Sequence, residues 1–306
     1  MEKACGAGRP ARRNVKGRQR YGRCTGTGSG SPEEVFRMMK RKFVALLTAG
    51  LMTIGAGCAV FAEDVDFSAV NTVIKGQLTV GTEAGFAPYE YMVGDEVVGI
   101  DMDIAAKIAE KLGVELVVKN EAFDGALLEV QQGKVDLVAA GVSVSEERMK
   151  VMDFSDKYVD SKDVVVVKAD KPAVEEATID GLKGKVVGVQ QGNIADLWVT
   201  DSTEAKSVQR YTQFVQAAQD LANGKIDAIV MDEAPAMELV AANDALMIME
   251  GDPLFEDSYA IAIRKGNDQM TAAVNAVIAE LKESGELDEI IAAHTGAAES
   301  ETEAEE

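Results

Sequence analysis

An arginine near the start of a predicted helix is the side chain of this sequence best placed to bind an anion. Within the stretch 141–156, Ser145 occupies a helix N-cap position and Arg148 follows shortly after it. A cation there faces the positive end of the helix dipole, so Arg148 is unfavourable unless it binds something. Together with nearby backbone amides and the Ser143 hydroxyl, it predicts an anion site, most naturally for a carboxylate held in bidentate fashion. The alternative is a surface ion pair with a glutamate of the same turn.

Two acidic residues stand at the ends of apolar stretches and could also do chemistry. Glu83 follows one predicted strand, and Asp232 follows another. From the residues alone, Glu83 could equally face solvent, and Asp232 could be an ordinary helix N-cap. His294 is the single histidine. This excludes histidine triads and histidine-based metal sites, and we expect neither a metal nor a cofactor.

Alternating strands and helices must position these residues. The first series is predicted as strand 77–82, helix 100–112, strand 115–119, helix 124–132 and strand 135–140. The second series is predicted as strand 185–190, helix 193–199, strand 208–211, helix 213–223 and strand 226–231. A last strand, 259–264, precedes helices 270–281 and 286–293. The strand-helix order predicts an α/β fold with parallel sheets.

An internal similarity suggests that the two series form similar units. The segments 128–141 and 219–232 share the order helix, Gly-Lys, β-branched residue, Asp and apolar strand. The alternative is chance recurrence of a common helix-to-strand turn. A run of four valines, within 163–168, separates the two series and has no helix signal around it.

The charge distribution excludes several classes of partner. The 306 residues include 31 Lys+Arg and 52 Asp+Glu, for a net charge of −21, and the first 62 residues are basic. The remainder is therefore strongly acidic, which favours solubility and repels nucleic acid and anionic lipid. We expect no nucleic-acid partner. The three cysteines, Cys5, Cys24 and Cys58, all lie in the first 62 residues, so no disulfide is expected beyond them.

The first 62 residues are interpreted as a leader. Residues 38–62 have the layout of a secretory signal peptide, with a basic start, a short apolar run and small residues up to Ala62. Cys58 is an alternative site of lipid attachment. Residues 1–37 are basic and without periodicity, and we interpret them as a mis-annotated upstream extension, with translation starting at Met38 or Met39.

Several longer motifs carry a resemblance to a known family. They are VGTEAGFAPYEY (80–91), VVGIDMDIAAKIAEKLG (97–113), FDGALLEVQQGKVDLVAAGVSVSEERMKVMDFSD (123–156), VGVQQG (187–192) and IDAIVMDEAPA (226–236). Together they resemble the amino-acid-binding proteins of ABC importers, solute-binding protein family 3, from residue 77 to about 296. The resemblance implies a type II periplasmic-binding-protein fold, with two α/β lobes joined by a two-strand hinge. Lobe 1 is expected to comprise 77–162 plus 257–296, lobe 2 163–256, and a disordered acidic tail 297–306.

The resemblance also implies roles for individual residues. Arg148 would bind the ligand α-carboxylate with the Ser143 hydroxyl and the backbone amides of Ser143 and Ile194, and Asp232 would bind the α-ammonium. Glu83 would face the ligand side chain. The remaining predicted ligand-binding residues are Phe86, Phe123, Gly141 and Gln190.

The implied function is a non-catalytic extracytoplasmic receptor. It would capture an amino acid by lobe closure and deliver it to an ABC importer permease in the membrane, acting as a monomer. Because Glu83 and Asp232 outnumber Arg148 in charge, a cationic ligand such as arginine, lysine or histidine is favoured. A polar neutral amino acid such as glutamine is the alternative ligand. A dehydratase-like enzyme on the same fold and a sensory domain are alternative functions.

Overall fold

Two large β-sheets with helices packed on them and one small sheet occur in residues 65–296, the part of the chain that this computed structural model describes. No helix within this part is both long enough and apolar enough to cross a membrane. The upstream extension 1–37, the signal peptide 38–62 with Cys58 and the acidic tail 297–306 lie outside the described residues, so these remain predictions.

The elements follow one another along the chain as follows. The strands are β1 (Gln77–Thr82), β2 (Gly85–Phe86), β3 (Glu90–Val93), β4 (Glu96–Val98), β5 (Glu115–Asn120), β6 (Leu137–Val138), β7 (Met152–Phe154), β8 (Val159–Lys168), β9 (Val186–Gln190), β10 (Ser207–Tyr211), β11 (Ala228–Asp232), β12 (Leu246–Ile248), β13 (Phe255–Tyr259) and β14 (Ala262–Arg264). The helices are α1 (Ile100–Leu112), α2 (Phe123–Gln131), α3 (Glu146–Met149), α4 (Ile194–Ser202), α5 (Phe214–Ala222), α6 (Glu233–Ala241), α7 (Asp268–Ser284) and α8 (Glu286–Thr295).

The first sheet has the strand order β5-β1-β6-β14-β7. Its strand β1 runs parallel to β5 and β6, whereas β14 runs antiparallel to β6 and β7. Helix α1 covers it because Ile104 and Ile108, one turn apart, share a fully buried face. Gly113, in the left-handed region at φ 67°, ends the helix. We call this sheet and its helices lobe 1.

The second sheet has the order β10-β9-β11-β8-β12, with β13 also paired to β8. Strand β9 runs parallel to β10 and β11, and β8 runs antiparallel to β11, β12 and β13. Its core contains the valines of β8, of which Val165, Val166 and Val167 are fully buried. We call this sheet and its helices lobe 2.

Two strands connect the lobes. The chain leaves the first sheet after Phe154 and enters β8 at Val159, and it returns from Tyr259 of β13 to β14 at Ala262. Strands β8 and β13 pair antiparallel, with Val159 opposite Tyr259. This pair corresponds to the two-strand hinge that the resemblance implied. The residue boundaries predicted for the lobes remain a prediction.

The internal similarity has a structural counterpart in each lobe. Asp136 follows a helix and accepts a hydrogen bond from the N–H of Thr79 in β1, with 2.8 Å between N and Oδ2. Asp227 accepts in the same way from the N–H of Val186 in β9, also at 2.8 Å. In both lobes, an aspartate after a Gly-Lys turn therefore fixes the neighbouring parallel strand.

Some predicted elements are wrong in extent. The strand predicted at 259–264 is two strands in different sheets, because the chain crosses between the lobes after Tyr259. The strand predicted at 135–140 is paired only over Leu137–Val138. The sequence reasoning missed the small antiparallel sheet β2-β3-β4, the short strands β7 and β12, and helix α6.

Candidate functional site

Arg148 is buried between the lobes. Its helix α3 is a single turn, capped by Ser145, whose Oγ accepts from the Arg148 N–H at 3.2 Å. The guanidinium Nη1 donates to the Ser143 carbonyl at 2.6 Å, and Nη2 donates to the Gly192 carbonyl of lobe 2 at 2.9 Å. The side chain is 6% exposed. A surface ion pair is therefore wrong, and the helix-dipole argument has little weight because so short a helix has little dipole.

Phe123 supports this guanidinium. The Arg148 Cζ lies 5.5 Å from the centroid of the Phe123 ring, within the range of a cation–π contact. Phe123 is itself buried at the start of α2 and belongs to a cluster of core residues. Burial lowers the pKa of Arg148 to about 10, so the group stays charged at neutral pH. The cation is thus held in a fixed position in a site that excludes water.

Glu83 is also buried between the lobes. It is 2% exposed, which rules out the solvent-facing alternative. Gln190 Nε2 donates to Glu83 Oε2 at 2.8 Å, and Gln213 Nε2 donates to Glu83 Oε1 at 2.6 Å. Burial raises the pKa of Glu83, and the two amide hydrogen bonds oppose that rise. Both glutamines belong to lobe 2, so this carboxylate joins the two lobes.

Phe86 and Gly141 pack against each other between Glu83 and the connecting strands. The Phe86 ring stacks on Phe214 of lobe 2, with centroids 6.1 Å apart. Gly141, at φ 53°, leaves room for that ring, because a Cβ there would lie 2.6 Å from Phe86 Cε1. The Gly141 N–H donates to Asp101 Oδ2 at 2.9 Å. An aromatic wall and a fixed backbone turn therefore form one side of the site.

Asp232 ends β11 and stands at the N-cap position of α6, yet its side chain makes no capping hydrogen bond. Instead, Oδ1 accepts from the hydroxyls of Tyr259 and Ser161. Its other oxygen, Oδ2, is buried without a partner. The ordinary N-cap alternative is therefore wrong, and one carboxylate oxygen is open to a further donor.

Two more carboxyl groups surround Asp232. Asp163 of β8 lies directly opposite it in the antiparallel register, and Asp257 of β13 completes the cluster. One carboxylate oxygen from each of the three residues lies within 4.8 Å of the other two. Both oxygens of Asp163, a residue with no exposed surface, are without a hydrogen-bond partner. Burial and the neighbouring Asp257 raise the pKa of Asp232 to about 7, and burial raises the pKa of Asp163 well above its ordinary value. The cluster therefore holds carboxylate oxygens that have no hydrogen-bond donor among the described residues.

The two remaining predicted residues lie beside Arg148. Ser143 is 2% exposed and precedes α3. Ile194 is the first residue of α4, whose N-cap Asn193 accepts from the Ala195 N–H at 3.0 Å. A first-turn N–H has no acceptor within its own helix. Lobe 2 therefore presents the start of α4 next to the Gly192 carbonyl that Arg148 contacts.

A cavity of about 540 Å³ lies at the connecting strands, on the side of the acidic cluster. Its lining includes Tyr89 of lobe 1, Ser161 of β8, Glu233 of α6 and Asp257 of β13. The volume is within the range of small-molecule sites. Glu83 and Arg148 are not among its described lining residues, so the cavity adjoins the acidic cluster rather than the whole seam between the lobes.

Sequence reasoning missed several residues of the site. Gln213, Tyr259, Ser161, Asp163 and Asp257 all contact or adjoin predicted residues. Only Asp163 has a local signal, because it is a charged residue directly before a run of valines. The others are brought in by pairing of distant strands.

A buried cation, buried acids and aromatic rings between two α/β lobes define a two-lobed binding protein. The sequence matches the family of bacterial extracellular solute-binding proteins, family 3, over residues 78–297. It is 33% identical to the L-cystine-binding protein TcyJ of Escherichia coli K12 over 214 residues, covering 70% of this chain and 80% of that protein. It is 30% identical to the arginine-binding extracellular protein ArtP of Bacillus subtilis over 249 residues, covering 78% and 95%.

A solved structure of an amino-acid-binding transport protein is also similar to this chain. The amino acid ABC transporter substrate-binding protein AbpA from Streptococcus pneumoniae, bound to L-arginine, superposes with a TM-score of 0.69. It is 37% identical, and the match covers 73% of this chain and 96% of that one. The chain belongs to the bacterial extracellular solute-binding proteins, family 3. It is therefore a substrate-binding transport protein with the two-lobed type II fold and not an enzyme.

Proposed function

We propose that this protein captures a cationic α-amino acid between its lobes and delivers it to an ABC importer. The observation that carries the proposal is a buried guanidinium, Arg148, in the same seam as two buried carboxylates, Asp232 and Glu83. A zwitterionic ligand with a cationic side chain carries one anionic and two cationic groups. Each of these is opposite in sign to one of the three protein charges.

Each group of the ligand has a partner in this arrangement. The α-carboxylate binds Arg148, which has five N–H donors and uses two on backbone carbonyls. The Ser143 hydroxyl and the N–H groups of Ser143 and Ile194 assist it. The α-ammonium binds the free oxygen of Asp232. Phe86 and Phe123 flank the ligand, and Gly141 and Gln190 complete the contact set.

The charge balance favours a cationic ligand. Glu83 and Asp232 together outweigh Arg148 by one negative charge when all three groups are ionised. Glutamate or aspartate would place a further anion beside Glu83, in a site where burial makes an unpaired charge unfavourable. AbpA, whose structure is bound to L-arginine, and ArtP, which is named as an arginine-binding protein, support the same ligand class.

L-cystine is a second candidate ligand, because TcyJ is named as an L-cystine-binding protein. Cystine carries a second α-ammonium, so it too could offer a cation to Glu83. It also carries a second carboxylate, which would need another donor beside the two glutamine amides. A neutral side chain such as that of glutamine would leave Glu83 without a counter-charge.

The cellular setting is part of the proposal. The leader of residues 38–62 would direct secretion, with a lipid anchor at Cys58 as the alternative to a soluble form, and a membrane permease would receive the ligand. The protein would act as a monomer, with lobe 1 made of 77–162 plus 257–296 and lobe 2 of 163–256.

Titration calorimetry of the full chain against the common amino acids and cystine tests the proposal. We expect arginine, lysine or histidine to bind with at least tenfold higher affinity than glutamine or cystine. A preference for glutamine or glutamate would overturn the cationic assignment. No binding of any α-amino acid, by a chain shown to be folded, would overturn the role of the site as a whole.

A further inference from the structure

Gln213 places a neutral donor on the carboxylate that faces the ligand side chain. It stands at the N-cap position of α5, but its side chain makes no capping hydrogen bond there. Its Nε2 instead reaches lobe 1 and donates to Glu83 Oε1 at 2.6 Å. Gln190 Nε2 is shared between Glu83 Oε2 at 2.8 Å and the Thr212 carbonyl at 3.1 Å. Each oxygen of Glu83 thus has one amide donor from lobe 2.

The close approach of these groups depends on a glycine. A Cβ at Gly85 would lie 2.8 Å from Glu83 Oε1 and 3.2 Å from Gln213 Nε2. Both distances are shorter than ordinary van der Waals contact, so a larger residue here would displace the ends of the Glu83 and Gln213 side chains. The orientation of Glu83 is therefore set from both lobes at once.

Amide donors have a different effect from a cation at this position. Within residues 65–296, Glu83 forms no salt bridge with Lys, Arg or His. Two neutral donors stabilise a buried carboxylate in its charged form but leave its charge uncancelled. Each carboxylate oxygen also keeps a further lone pair for a ligand donor. A guanidinium or ammonium then gains both hydrogen bonds and charge neutralisation, whereas a urea or amide gains the hydrogen bonds alone.

We propose that Gln213 is a specificity-determining residue, which positions Glu83 and keeps it ionised so that the site selects a cationic side chain over an uncharged one of the same shape. This inference rests on the proposed function. Gln213 acts through Glu83 and is a positioning residue for the ligand's cationic end.

Arginine and citrulline are the probes for this inference, because a urea replaces the guanidinium with almost no change in shape. The measured quantity is the ratio of the citrulline Kd to the arginine Kd, for the full chain at neutral pH. Gln213→Leu removes the amide at similar volume, and we expect it to lower the ratio at least fivefold. Gln213→Lys brings a cation to Glu83, and we expect it to remove the preference for arginine.

Gln191→Leu is the matched control. Gln191 Nε2 also donates from lobe 2 to a lobe 1 carboxylate, Asp124 Oδ2, at 2.5 Å, but this bond is exposed and does not involve Glu83. This variant loses one hydrogen bond between the lobes. It should therefore lower the affinities for arginine and citrulline by the same factor and leave the ratio of their Kd values unchanged. A change in the ratio therefore reports on Glu83, whereas a general loss of lobe closure does not alter it.

The outcomes separate this inference from the proposed function. If the wild-type chain prefers arginine and Gln213→Leu keeps the wild-type ratio, the inference is wrong and the proposed function stands. The inference is also wrong if Gln191→Leu lowers the ratio as much as Gln213→Leu. If the wild-type chain itself prefers citrulline, the cationic assignment fails first. Should Gln213→Leu not fold, Gln213→Asn, whose amide is one methylene short of Glu83, gives the same ratio test.

Discussion

Replacing Arg148 by methionine removes the guanidinium but keeps an unbranched side chain over the Phe123 ring. Arg148 has three N–H donors left after its bonds to the Ser143 and Gly192 carbonyls, and two of them suffice for a bidentate carboxylate. Charge-assisted hydrogen bonds contribute about 1.5–3 kcal/mol each. Two of them amount to about 3–6 kcal/mol, which corresponds to roughly a 10²- to 10⁴-fold loss of affinity for arginine.

Calorimetry with two ligands isolates this contribution. Agmatine is arginine without its carboxylate, so the wild-type chain should bind it far more weakly than arginine. Arg148→Met should weaken arginine strongly but change agmatine binding little, because the partner of Arg148 is already missing. This comparison is a double-mutant cycle with the ligand as one of its partners.

The control is Arg264→Met. Arg264 ends β14, is exposed, and lies against Gly133 rather than in the seam between the lobes, so its loss should leave arginine affinity unchanged. Arg148→Met also leaves two buried carbonyls without a donor and should lower the unfolding free energy by about 1–3 kcal/mol. If the folded variant binds arginine within a factor of about two of the wild type, the carboxylate role of Arg148 is wrong.

Three further predictions concern the acidic residues. Glu83→Gln should lower the affinity for arginine at least tenfold and the affinity for citrulline much less, because only arginine loses a counter-charge. Arginine affinity should fall as the pH is lowered from 7.5 to 5.5, by up to about tenfold per unit, because burial raises the pKa of Asp232 to about 7 and only the ionised form attracts the α-ammonium. Asp163→Asn should raise the unfolding free energy at pH 8 by about 1–3 kcal/mol, with a smaller gain at pH 5, as measured by chemical denaturation.

The sign of the last prediction follows from the raised pKa of Asp163. The folded state binds this proton more tightly than the unfolded state, so the buried carboxyl destabilises the fold progressively as the pH rises above about 4. An asparagine has no proton to lose and can donate to Asp232. Asp170→Asn, at an exposed position beside Lys168, is the control, and its unfolding free energy should stay close to that of the wild type. A gain that is equal at pH 5 and pH 8 would contradict the reasoning for Asp163.

The controls for the other two predictions use the same titrations. If Glu83→Gln lowers the affinities for arginine and citrulline equally, Glu83 does not face the charged end of the ligand. Arginine affinity that stays constant from pH 7.5 to 5.5 would mean that protonation of Asp232 does not affect binding, and would count against the acidic cluster as the ammonium site.

Local signals in the sequence were sufficient for many of the regular elements, but not for helix α6. Helix α1 was predicted over 100–112 and has those bounds, because its apolar spacing and the glycine that ends it act within a few residues. The two Gly-Lys turns before Asp136 and Asp227 were recognisable for the same reason. The short sheet β2-β3-β4 was missed, since two- to four-residue strands leave almost no periodicity to detect.

The residues of the site also differ in whether the sequence could indicate them. Arg148, Asp232 and Glu83 could be selected because each stands at a marked place in the sequence, after a cap or at the end of a strand. Gln213 could not, because its bond to Glu83 joins residues 130 positions apart. Nor could Asp163 and Asp257, which meet Asp232 only because β8 pairs with both β11 and β13.

The sequence by itself therefore determined the order of strands and helices, the class of fold and the three charged residues around which a ligand is expected. Tertiary structure alone decided that Arg148 bonds to Gly192 of the other lobe, that Glu83 is held by Gln190 and Gln213, and that Asp232 shares its surroundings with two more acids. The physical reason is the distance along the sequence over which each kind of interaction acts. Caps, turns and periodicity act over a few residues, whereas charge balance in a buried seam depends on groups that only strand pairing and lobe contact bring together.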